Sequence, residues 1–113
     1  MLKSIFYILD KDNKVVPAKD VLEWAEFVKN DLSRIIAFDS VGKTDISTIF
    51  IGLASLPIDR LFETAVIEGD KLLTIEPYQT YQEALEGHKR AFEKQLKKLE
   101  IINEYFRNTK TND

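Results

Sequence analysis

The stretch Asp45–Leu53, DISTIFIGL, constrains the fold more than any other, because its apolar residues fall on both parities of an extended chain. Along a strand, Ile46 and Phe50 point one way and Ile49, Ile51 and Leu53 the other, so both faces are expected to meet protein. A strand of that kind belongs in the interior of a sheet. β-branched Ile and Thr are stiff at χ1 and pack well on a pleated surface. Gly52, with no side chain, marks a bulge or the close approach of a neighbouring element. Ser47, Thr48 and Gly52 break the run too often for it to cross a bilayer as a helix.

Upstream, SIFYIL from Ser4 to Leu9 and KVVP up to Pro17 read as two short strands joined by the turn-rich DKDN. Pro17 ends the second, since it has no N–H to give a ladder. Asp20 stands at an N-cap position with Glu23 three residues on, a capping-box-like pair ahead of VLEWAEFVKN. Val21, Trp24, Ala25 and Val28 share one face of that helix, flanked by Leu22 and Phe27, and the Trp24 face is expected on the sheet. Arg34–Val41 resumes strand character, and VGKTD turns into the central strand. ASLPID reads as a loop, and RLFETAVIE and KLLTIEPY form a hairpin about Glu68, Gly69 and Asp70. The expected fold is α+β: an antiparallel sheet of five to six strands in the order ββαββββα, with one inserted helix and a long C-terminal helix.

That last helix has a clear start, with Thr80 as cap and Glu83 at the third position of the box. No Pro follows, so it continues to about Arg107, roughly 40 Å at 1.5 Å per residue. Strands of five residues span only about 17 Å. The final turns therefore overhang, which divides the chain into a body over 1–92 and an extended helix with a frayed tail over 93–113. Leu85, His88, Phe92, Gln95, Leu99, Ile102 and Phe106 recur at alternating spacings of three and four, a heptad seam that Leu96, Ile101 and Tyr105 widen. Two arrangements would bury it: self-association or a partner helix at Phe92, Leu96, Leu99, Ile102, Tyr105 and Phe106, or a bend that folds the helix back over its own sheet.

Length and composition narrow the chemistry. A chain of 113 residues, 44% hydrophobic and 31% charged, is one soluble globular domain. With no cysteine and one histidine, thiolate nucleophiles and Cys-ligated zinc are excluded, and a metal site would have to be built mostly of carboxylates. MLKSIFYILDKD reads as a strand start rather than a signal peptide, which makes the cytoplasm the expected location. Residues 1–88 carry 9 Lys/Arg against 15 Asp/Glu, and residues 89–113 carry 7 against 4, so the body repels nucleic acid and only the tail attracts it. Lys89, Arg90, Lys94, Lys97 and Lys98 crowd around Phe92, but Glu86, Glu93 and Glu100 intervene at pairing distances, as on a solvated face.

Asp10, Asp12 and Asn13 have the look of a calcium loop's opening, but Val15 and Val21 occupy its glycine and bidentate glutamate positions, leaving a solvated turn. Gly42-Lys43-Thr44 matches the end of a phosphate-binding loop, yet Ala37 replaces the earlier glycine and no helix follows. Asp39 and Glu63 lie in otherwise apolar strands and His88 lies on the seam. Were the helix to bring all three together, a carboxylate beside His would make a general base and a small hydrolase or nuclease-like enzyme. Solvent-facing carboxylates and a satisfied core histidine account for the same residues. No cofactor or metal is expected.

LEWAEF around Trp24, FDSVGKTDISTIFIGL, LFETAVIEG and YQTYQEALEGHKRA occur in an order that resembles a group of small uncharacterised proteins of bacteriophages and prophages, over roughly residues 5–92. Where that group carries an Asp-His pair after the central strand, Ala54 and Ser55 stand here, and the helix beyond Ala91 extends the pattern. The resemblance implies a phage-related, intracellular setting and carries over no residue role. The expected function is that of a non-enzymatic interaction module, an accessory protein with a protein partner or a second copy of itself, and with neither membrane nor nucleic acid as its target.

Overall fold

The computed structural model describes residues 5–55 and 58–110. The chain opens with a two-stranded antiparallel ribbon, β1 (Tyr7–Leu9) and β2 (Val15–Pro17). Its turn is held from inside: one Asp10 carboxylate oxygen accepts the Asp12 and Lys14 N–H groups at 2.8 and 3.0 Å, while Asn13 takes the left-handed conformation. The acidic run that suggested a calcium loop is thus occupied in shaping its own backbone.

Helix α1 (Val21–Lys29) starts where Asp20 accepts the Glu23 N–H at 2.9 Å. The Glu23 carboxylate reaches back to the N–H of Lys19 at 2.8 Å, one residue beyond the usual closure of a capping box. Trp24 donates its indole N–H to the Ile51 carbonyl at 3.0 Å, and Phe27 meets Phe50 edge-on at 5.5 Å between ring centres. Val21 and Leu22 are 50% and 72% exposed, so the packed face runs through Trp24, Phe27 and Val28 rather than through Val21 and Ala25. A single helical turn absent from the sequence reading, α2 (Asp31–Arg34), follows; Asn30 caps it by accepting the Leu32 N–H at 3.0 Å.

Four strands then form an antiparallel meander: β3 (Ile35–Val41), β4 (Thr44–Ser55), β5 (Ile58–Glu68) and β6 (Lys71–Tyr78), adjacent in that order. The six described strands therefore divide into sheets of four and two rather than forming one sheet of five or six. Ribbon and meander meet at a bridge between Phe6 and Leu53 and through the Ala54 N–H on the Ile5 carbonyl. β4 is interior, and its register with β5 shifts between Phe50 and Leu53, the bulge that Gly52 signalled. Gly52 has φ +71°, and a Cβ there would strike the Tyr7 carbonyl, the Phe50 ring and the Trp24 indole, so the shift and the close approach have one cause. Gly69, at φ +65°, serves the tight turn between β5 and β6. The loop expected over ASLPID is shorter, since Ala54 and Ser55 belong to β4 and Ile58 and Asp59 to β5; residues 56, 57 and 111–113 lie outside the described residues.

Helix α3 (Tyr81–Lys110) crosses one face of the meander; Thr80 accepts the Glu83 N–H at 3.1 Å, as the sequence indicates. Ile46, Thr48 and Phe50 of β4 and Phe62, Thr64 and Val66 of β5 point at it and are buried. At the start of α3 the core holds Leu9, Phe50, Leu61, Phe62 and Ala84; further along it holds Val41, Ile46 and Val66 with Phe92 and Leu99 against them. On the opposite face of the sheet Phe38, Leu72 and Ile75 are 56%, 56% and 46% exposed. The protein measures 70 × 27 × 26 Å along its principal axes, the long axis reflecting α3.

Candidate functional site

Residues on the sheet-facing side of α3 recur at three and four, and the one polar member of that series at the centre of the sheet is His88, 5% exposed. Both ring nitrogens are used: Nε2 lies 2.8 Å from Asp39 Oδ2 and Nδ1 lies 2.7 Å from Thr48 Oγ1, which is 2.6 Å from Thr64 Oγ1. β3, β4 and β5 thus each contribute one polar side chain on the same face, aligned by a register that sets Asp39 beside Ile46 and Thr48 opposite Thr64. A carboxylate only accepts, so Nε2 carries a hydrogen; with the ring neutral, Thr48 donates to Nδ1 and Thr64 donates to Thr48.

The expected trio of Asp39, Glu63 and His88 is therefore brought together only in part. Glu63 lies between Phe62 and Thr64, both buried under α3, so alternation turns it to the other face, opposite Ile49 and Pro77. In its place stand Thr48 and Thr64, which the sequence reading passed over. Their signal was parity: each falls in step with apolar residues of the core face, where a hydroxyl needs a partner. Asp–His–Thr has the composition of a nucleophilic triad, but Thr48 is 0% exposed, so no substrate carbonyl reaches its oxygen. What this arrangement does chemically is satisfy a buried imidazole.

A different feature lies beside it. Between α3 and β6 runs a cleft of about 270 Å³, floored by Thr64, Thr74 and Glu76 and walled by Arg90, Lys94 and Lys98. Gly87 lets α3 come close at one end, where any Cβ would enter the Tyr78 ring. The Tyr78 hydroxyl donates to Glu76 at 2.8 Å; burial first, and then this carboxylate, raise its pKa, with Arg90 partly opposing them. The cleft continues into an apolar opening of about 470 Å³ between Glu68 and Leu73 on the sheet and Leu99, Ile101 and Ile102 on α3. Among the described residues the ion pair between fixed charges is Arg34 with Asp31, so Lys94 and Lys98 are not engaged by the glutamates along their own helix.

The seam itself divides. Phe92 and Leu99 are half-buried against Val41, Ile46 and Val66, whereas Leu96, Ile102, Tyr105 and Phe106 are 38%, 50%, 66% and 60% exposed, and Ile101 is 59% exposed. Packing on the sheet thus reaches Leu99.

Among the described residues, no three His, Cys, Asp or Glu side chains are grouped as a metal ion would need, and no helix is long and apolar enough to cross a membrane. No protein family, curated protein or solved structure matches the chain.

Proposed function

We propose that this chain is a protein-interaction module that associates with itself through the distal half of α3. The observation that supports it is the exposed stripe of Ile101, Ile102, Tyr105 and Phe106 beyond Leu99, with Leu96 exposed just before it. Burying such side chains from half-exposure gains on the order of 1 kcal/mol each, and leaving them in water side by side marks a contact surface. The likeness of residues 5–92 to phage- and prophage-encoded chains suits an accessory factor that acts by binding, with a host or phage protein as a further partner.

The test is the mass of the full chain in solution as a function of concentration. A dimer that dissociates on dilution is expected, and Ile102→Glu or Phe106→Glu should yield monomers with unchanged circular dichroism, since both sites are exposed. A chain that is monomeric at every accessible concentration would sink this reading.

A further inference from the structure

The cleft beside α3 and its apolar opening share Leu73, Gln95 and Lys98, so they are one trough along the helix, basic at one end and apolar at the other. Its wall and the exposed stripe are parts of one helical face. Arg90, Lys94 and Lys98 advance in steps of four, and Ile101 and Tyr105 continue that row within one helical angle of it. The proximal half of the row is cationic and borders a vacant floor; the distal half is apolar and has no floor beneath it.

We propose that the occupant of the trough is the distal half of α3 from a second copy, laid antiparallel, and that the exchange is mutual. The proposal rests on the self-association reading and specifies where and how it occurs. Three features favour this occupant over a foreign one. The distal helix carries what the trough lacks: Ile101 and Ile102 for the opening near Leu73 and Leu99, and Glu104 for the cationic wall. An antiparallel alignment about a two-fold axis near Leu99 sets Lys94 opposite Glu104 of the second copy, and by symmetry Glu104 opposite Lys94 of the second copy. Lengths also agree: residues 100–110 span about 16 Å of helix, and the wall from Arg90 to Leu99 about 14 Å. Five side chains on the stripe fall well short of the roughly 20 residues a side that a stable interface uses. Docking in the trough enlarges the contact to include the floor of β5 and β6.

Sedimentation equilibrium on the full chain and on charge-reversal variants tests the alignment. Each single reversal, Lys94→Glu or Glu104→Lys, alters two symmetry-related pairs and should raise the dimer dissociation constant about three- to tenfold, while the double variant Lys94→Glu/Glu104→Lys returns it to within about twofold of the original. Both side chains are exposed, so circular dichroism should not change. If the chain dimerises but the two reversals simply add, docking in the trough is overturned and self-association through α3 stands. If the chain is monomeric throughout, both fall.

Discussion

At the residue scale, His88 is the most consequential side chain in the body, because three strands converge on it and neither nitrogen has a substitute partner. His88→Ala removes the ring and leaves the Thr48 hydroxyl and the inner Asp39 oxygen with a void between them. A loss of about 2–4 kcal/mol is expected from urea denaturation, combining cavity and unsatisfied-group costs. Asp39→Asn keeps an acceptor oxygen for the Nε2 hydrogen at a half-exposed position, so its loss should stay below about 1 kcal/mol. Equal effects from the two would show that the carboxylate charge, rather than the hydrogen bond, holds the ring. The Asp39–His88 pair was legible because both are conspicuous in apolar surroundings. Thr48 and Thr64 were not, because threonine is an ordinary strand residue and only its parity, once the sheet's faces are known, reveals a buried hydroxyl.

At the scale of elements, α3 shows how a local preference and a tertiary contact oppose each other. In an isolated helix Gly87→Ala would be stabilising by about 1 kcal/mol. Here the new methyl meets the Tyr78 ring, which must move and give up its bond to Glu76. Gly87→Ala should therefore lower stability by about 1–2 kcal/mol, and in a Tyr78→Ala background the sign should reverse, which a double-mutant cycle by denaturation would read. Caps, turns and the β5–β6 hairpin were legible because each depends on residues within a few positions: Asp20 with Glu23, Thr80 with Glu83, and Gly69 at the tip. The packed face of α1 was less so. Trp24 and Phe27 are drawn in by an indole hydrogen bond and a ring contact, and those partners lie some 25 residues away in β4, out of reach of a helical-wheel argument. Likewise the sequence did not show that the first two strands would form a sheet of their own, meeting β4 at the bridge between Phe6 and Leu53.

For the whole molecule, the decisive fact is that one helix serves two purposes along its length. Up to Leu99 it is a wall of the core; beyond that it is an arm. Ending the chain at Glu100 should therefore reduce stability by no more than about 1 kcal/mol, from fraying of the last turn, while abolishing the concentration dependence of the mass. A larger loss would mean that the arm folds back on its own body in solution. The five-residue strands assumed in arguing for an overhang are 12 and 11 residues long in β4 and β5, about 40 Å against about 45 Å of helix, so counting made only the length of α3 readable. Where the covered part ends was not, because the same three-and-four spacing runs through Phe92, Leu99, Ile102 and Phe106 without a break.

One consequence of the bond chain beneath α3 concerns the trough rather than the core. Its far end, Thr64, lies on the trough floor, and the direction of its hydroxyl is dictated from the other side of the helix. With the imidazole neutral, Thr64 gives its hydrogen inward to Thr48, so toward the trough its oxygen offers lone pairs. At that point the floor accepts rather than donates, a property fixed by a ring that does not itself line the trough.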